Sequence, residues 1–219
     1  MRRVPSILSV AGGFLGLLAG AALAASPEAE RYEADPASSR VAIEGSSTLH
    51  AWEVEGRRIE GSLSIDAEEL AALWKRSPSS HALESTARVD IPVASLASGK
   101  RGMDETMGKA LKVTTHPMIS YRLKSAAIPA RQAAQTDATE VVIDTTGVLT
   151  VAGVERAVDM PIRVRQLSEN RLEVSGETSL RMTEFGIDPP TAMLGALHTG
   201  DEIHVRWTWV LVRTPNRSP

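Results

Sequence analysis

Cysteine is absent from this 219-residue chain. That excludes disulfides, a thiolate nucleophile and any cysteine-based zinc, haem or iron–sulfur site. A long basic run is missing too. With 24 basic and 27 acidic side chains, the formal net charge is −3. A sequence-independent nucleic-acid binder needs clustered positive surface, so nucleic acid is not an expected partner. No nucleophile elbow of the form G-x-S-x-G occurs, and no P-loop, G-x-G-x-x-G or H-E-x-x-H. The five histidines are His50, His81, His116, His198 and His204, and no two have the i, i+4 spacing of helical zinc sites. What is there is ordinary for a soluble globular protein, with 42% apolar and 23% charged residues. A disordered chain, a fibrous repeat and a multi-span membrane protein are excluded.

The first 27 residues stand apart. Arg2 and Arg3 form a short positive region, and no charge follows until Glu28. Ile7 to Gly20 is apolar and rich in glycine and alanine, and Ala22-Leu-Ala24 is a small-x-small cleavage site. This is the layout of a secretory signal peptide over residues 1–24, leaving residues 25–219 as a single domain. An uncleaved anchor is the competing reading, since the run is long enough to span a bilayer. Cleavage removes both arginines and takes the net charge to −5. No cysteine follows the run to carry a lipid. The expectation is a periplasmic or secreted protein with no stable membrane span after processing.

Period-2 alternation of apolar and polar residues recurs along the remainder and predicts half-buried strands. One row is Ile59, Gly61, Leu63 and Ile65; a second is Ala87, Val89, Ile91 and Val93; a third is Ile119, Tyr121 and Leu123. Val141 to Val151 and Val158 to Val164 give two more, followed by Leu172 to Met182 and Ile203 to Leu211. Val41–Ile43 and Leu49–Val54 read as further strands, and Thr150 to Glu155 reads as a tight hairpin. Many long strands with one apolar face predict an all-β fold, an antiparallel barrel whose closure removes the edges. In-strand Gly61, Gly147 and Gly176 are expected where the barrel bends sharply.

Two segments break the pattern. Asp66–Arg76 predicts a short helix with Asp66 as N-cap and Leu70, Leu73 and Trp74 on one face. Gly102–Lys112 predicts a second, with Met103, Met107, Ala110 and Leu111 on one stripe and His116-Pro117 stopping it. Between Met182 and Glu202 no strand pattern is visible. This long connection carries Phe185, Ile187, Met193, Leu194 and Leu197, and it either covers core or closes the mouth of a cavity.

Several local motifs are similar to those of a known family. They are Tyr32-Glu-Ala-Asp-Pro-Ala-Ser-Ser-Arg40, His116-Pro-Met-Ile-Ser-Tyr121, Gly147-Val-Leu-Thr-Val-Ala-Gly-Val-Glu-Arg156 and Phe185-Gly-Ile187. Gly45 to Trp52, the Met103–Lys112 helix, Pro189 to Gly195 and Thr199 to Glu202 look like one branch of it. In order and spacing, from Tyr32 to Val212, the chain resembles the YceI-like family of exported, lipocalin-like proteins associated with polyisoprenoid binding. One departure is Arg101 to Lys109, which stands where the commoner pattern has R-x-x-H-L, so head-group contacts do not transfer to this helix. The resemblance implies an elongated apolar pocket for a long-chain isoprenoid or other amphiphilic lipid. Burying ten carbons would contribute roughly 8 kcal/mol before association costs, so an apolar tube needs no charged anchor.

The expected ligand-binding walls are Leu63, Tyr121, Leu149, Met160, Met182, Trp207 and Trp209, with Trp52 and His50 beside them. The lid would be Phe185, Met193 and Leu197, with Met103 and Met107 at an opening, where flexible methionine suits a tail of variable shape. In a barrel, core and pocket wall are the same positions, and sequence alone does not decide whether the interior is filled. His50 is open between a polar structural role, contact with a ligand and metal ligation. Neither a cofactor nor a metal is expected. The leading reading is a non-catalytic binding protein. Its alternatives are a filled barrel acting as an interaction or envelope-stress module, and a lipid-modifying enzyme using His50. An exposed loop or edge leaves a homodimer open.

Overall fold

A computed structural model describes residues 29–74, 82–129, 140–192 and 197–215. The signal-peptide segment, His81, Met193 and Leu194 lie outside the described residues, as does the side chain of Leu197. Among the described residues, twelve strands follow in chain order. They are β1 (Ala29–Ala34), β2 (Arg40–Ser47), β3 (Ala51–Gly56), β4 (Glu60–Asp66), β5 (Ser85–Pro92), β6 (Leu96–Ala97), β7 (Met118–Ala127), β8 (Glu140–Val151), β9 (Val154–Ser168), β10 (Arg171–Arg181), β11 (Thr191–Ala192) and β12 (Leu197–Arg213). Two helices interrupt them, α1 (Ala67–Leu73) and α2 (Arg101–Ala110).

The ladders are antiparallel, and three walls are broken strands. β12 pairs with β2 along its first half and with β1 at its end. β2 pairs with β3 and β1 with β4, while β3 pairs with β6 and β4 with β5. Each break is a local interruption of the same wall: the Asp35–Ser39 turn, residues 57–59, and the 3-10 turn Val93–Ser95. Counted this way, eight walls run up and down and close into a barrel.

The break between β1 and β2 is fastened to the far side of the fold. Arg171 Nη2 reaches Asp35 Oδ2 at 2.8 Å, and Ser39 Oγ accepts from the Val210 amide at 3.0 Å. β8 and β9 are joined by a two-residue turn, Ala152 and Gly153, both with positive φ (51° and 83°). Such a turn matches the right-handed strand twist. The His116 ring lies against Gly153, so a Cβ there would collide with it.

Inward positions are apolar and outward ones are charged. The outer face carries ion pairs, Arg88–Asp90 within β5 and Arg122–Glu155 and Arg165–Glu173 between strands. Pairs of this kind are worth little individually. The core runs through Tyr32, Val54, Ile59, Leu172 and Leu211, all at 2% exposure or less.

Several expectations need correction. β1 has no apolar alternation, because its one buried side chain is Tyr32. The strand expected from Ile203 starts at Leu197, and a register shift between Thr199 and Ile203 hides its first residues from a period-2 reading. α2 closes at Ala110, with Lys112 at positive φ, before His116-Pro117 is reached. Gly147 and Gly176 have a further role that the sequence does not show: they leave room for aromatic rings, whereas Gly61 at φ 132° is pressed against the Arg88 carbonyl. α1 forms as expected, with Asp66 Oδ1 accepting from the Glu68 and Glu69 amides at 2.9 and 3.0 Å.

Candidate binding site

The barrel is hollow. A cavity of about 610 Å³ runs along its interior. That is within the usual range for sites that enclose a small molecule. An eight-stranded barrel can be filled by its own side chains, so hollowness needs a cause. Here it lies in three glycine–aromatic pairs. Trp52 lies on Gly45, Tyr121 on Gly147 and Trp207 on Gly176, each ring so close that a Cβ on the glycine would overlap it. Gly45 and Gly176 stand directly opposite their tryptophans in the ladder, and Gly147 is diagonal to Tyr121. With no side chain beneath, each ring folds down along the wall instead of standing into the lumen.

One end of the lumen is floored by α1. Leu70 and Leu73 face in, with Leu83 beside them, and Leu73 and Leu83 are buried in the main core. The other end is the mouth. α2 crosses it, presenting Met103 and Met107, and Leu111 at its end packs with them against the barrel. Asp104, in the first turn of α2, is tied back to Ser98 by its hydroxyl at 2.6 Å and its amide at 2.7 Å. Two hairpins complete the rim. Thr48 N donates to the His198 carbonyl at 3.0 Å, and the His198 amide donates to Thr48 Oγ1 at 3.3 Å. The β2–β3 hairpin is thereby held against the β11–β12 hairpin.

A 3-10 turn, Met182–Phe185, forms part of the rim. Phe185, 3% exposed, packs with Val151, Ala152 and Ile187 in a second apolar cluster. Asp201 clasps this turn, accepting from Thr183 Oγ1 at 2.7 Å and from the Thr183 amide at 2.9 Å. The Thr183 hydroxyl and then its amide hold the Asp201 carboxyl below its ordinary pKa, with Arg181 adding to the effect. Because the folded value is lowered, the clasp contributes in full above the unfolded value near pH 4 and is lost as pH falls through the folded one. Weaker protection at residues 183–187, read as the exchange rate relative to an unstructured amide at the same pH, is therefore expected in wild type as pH drops below about 4. Asp201→Asn should exchange faster at neutral pH and lose that acid response. Equal exchange in both proteins at pH 7 would show that the clasp is idle.

The lumen is lined almost wholly by apolar groups. Among the described residues no aspartate, glutamate or arginine lines it, and its ionisable side chains are His50, Lys100 and Tyr121. His50 and Lys100 are exposed and sit at the mouth. The Tyr121 hydroxyl is buried without a hydrogen-bond partner, beside a Thr145 hydroxyl that donates to the Met160 carbonyl at 2.5 Å. Burial raises the Tyr121 pKa, eased by the Thr145 hydroxyl and reinforced by Asp159. It therefore stays protonated and neutral.

Twelve of the residues singled out in the sequence line this one space: Leu63, Tyr121, Leu149, Met160, Met182, Phe185, Trp207, Trp209, Trp52, His50, Met103 and Met107. Trp209 is 4% exposed and its Nε1 has no partner. The floor residues Leu70, Leu73 and Leu83 also line the lumen, whereas the α1 periodicity marks Leu70 and Leu73 only as a packing face. Among the described residues no cluster of three or more histidine, aspartate or glutamate side chains could hold a metal ion, and no helix is long and apolar enough to cross a membrane.

The family model for the YceI-like domain matches residues 32–211. The chain belongs to the YceI-like family. Solved structures share the fold of this YceI-like protein at low identity. Burkholderia cenocepacia BcnA is 18% identical, with a TM-score of 0.61 over 81% of this chain and 98% of that one. A polyisoprenoid binding domain from Saccharophagus degradans, implicated in plant cell wall breakdown, is 14% identical, with a TM-score of 0.62 over 84% and 98%. The Campylobacter jejuni YceI protein is also 14% identical, with a TM-score of 0.51 over 74% and 85%. No curated protein matches this YceI-like chain.

Proposed function

We propose that this protein is an exported, non-catalytic carrier that holds a long apolar ligand, a polyisoprenoid or quinone-like lipid, inside the barrel. The observation that carries the reading is the cavity itself, about 610 Å³ of apolar lumen kept open by rings laid on glycines. An interaction module has no use for a hollow interior. The polyisoprenoid binding named for the Saccharophagus degradans relative points the same way. The contacts would be the twelve lining residues above, with Met193 and Leu197 adding to the lid. The layout of residues 1–24 supports export to the periplasm or beyond, with residues 25–219 as one binding domain.

His50 does not favour the enzyme reading. It sits in an exposed hairpin whose hydrogen bonds run through its backbone, the Ser47 amide donating to the His50 carbonyl at 3.0 Å. No carboxylate among the described residues pairs with its ring, so nothing orients it as a base.

Native mass spectrometry of the processed protein purified from an expressing bacterium tests the proposal. A stoichiometric long-chain lipid is expected, and His50→Ala should retain it. A protein that stays empty after exposure to a total lipid extract would overturn the carrier reading.

A further inference from the structure

We propose that the lumen is a ruler: it houses about 20 carbon atoms, four isoprene units, and leaves the rest of any longer chain outside the mouth. This rests on the carrier reading and adds a length limit to it.

The length of the lumen sets this figure. On β10 the lining runs from Leu172 near the floor to Leu180 near the mouth. At about 3.4 Å per residue and a strand tilt near 40°, eight steps span roughly 20 Å along the barrel axis. An extended chain advances about 1.2 Å per main-chain bond, so a four-bond isoprene repeat takes about 5 Å and roughly four repeats fit.

The limit is hard at one end. Leu73 and Leu83 close the floor and are themselves buried in the main cluster with Leu172 and Leu211, so a tail cannot thread past α1 without unpacking the core. It is soft at the other end, where the lining changes to exposed His50 and Lys100. Surplus chain therefore leaves at the mouth, and its added carbons meet no further wall. Leu70 and Leu73 are the length-determining residues, because they set where the tail stops.

The test is a binding series with prenols of two, three, four and eight isoprene units, read by native mass spectrometry and by competition in solution. Affinity should rise at least about tenfold per unit up to four units, as each buries more surface. From four units to eight it should change less than about threefold, since nothing more is buried. In Leu70→Ala/Leu73→Ala the break should move up by about one unit, because the floor recedes. A wild-type affinity that climbs steadily to eight units would overturn the ruler and leave the carrier reading intact. Absence of binding at every length would overturn the carrier reading itself.

Discussion

Gly176→Val is expected to lower the affinity for a four-unit prenol by at least about tenfold while the barrel remains folded. Gly176 has ordinary extended φ, and valine suits a strand, so the backbone does not resist the change. The obstacle is the Trp207 ring, which occupies the space a Cβ would need. The ring must lift off the wall, and the direction open to it is the lumen. Overpacking of this kind costs about 1–3 kcal/mol of stability. The lifted indole also takes volume from the ligand. Trp207→Leu in the same background should restore much of the binding, since a smaller side chain clears the lumen without needing the glycine. A double-mutant cycle on affinity measures that coupling directly. If folded Gly176→Val binds as tightly as wild type, the glycine–aromatic pairs are not what keeps the barrel open.

The second large effect is expected at Phe185, and it falls on stability first. Phe185 is almost fully buried in the cluster that pins the 3-10 turn to the end of the β8–β9 hairpin. Truncating a buried phenylalanine to alanine costs about 3–5 kcal/mol. In a domain of this size that is a fall of roughly 10 °C in Tm. The loss should be local in its consequences for binding. The clasp through Asp201 remains, but the turn loses its apolar anchor, so bound lipid should dissociate faster while the floor is unchanged. Thermal unfolding with and without ligand, together with dissociation rates, reads both effects. A Tm within about 2 °C of wild type would show that the cluster contributes little to holding the rim.

These two sites differ in how far they could be read from sequence. Phe185 sits in a run of apolar residues with no strand period, and that alone marked it as buried in a lid or over core. Trp207 and Trp209 were placed on an inward face by the alternation from Ile203 to Leu211. Gly176 was visible as a strand glycine, but its role was not. A glycine opposite a tryptophan in the neighbouring strand becomes meaningful only when the register Gly176↔Trp207 is known. Register depends on hydrogen bonds between segments about thirty residues apart, and no local pattern reports it.

The same limit explains the other misses. β1 was invisible because a short closing strand with a single buried tyrosine has no periodicity to detect. The floor was half legible: Leu70, Leu73 and Trp74 gave an amphipathic stripe, yet nothing local told which end of the barrel α1 covers. Whether the lumen is hollow was not legible at all. It follows from where ring planes lie, which is a property of packed neighbours rather than of residue type.

β12 has a consequence for how the molecule comes into being. It follows every other described strand in chain order, and among them it alone holds β1 and β2 against β10. The ion pair between Arg213 and Glu30 joins residues 183 positions apart. Until β12 has been synthesised, the nascent sheet has two bare edges and an unsealed apolar face. Closing so long a loop adds only modestly to the entropic cost, but it makes the encounter late and slow. Until β12 emerges the chain therefore travels as an open, adhesive sheet, and a partner that shields those edges would matter more to its yield than to its final stability.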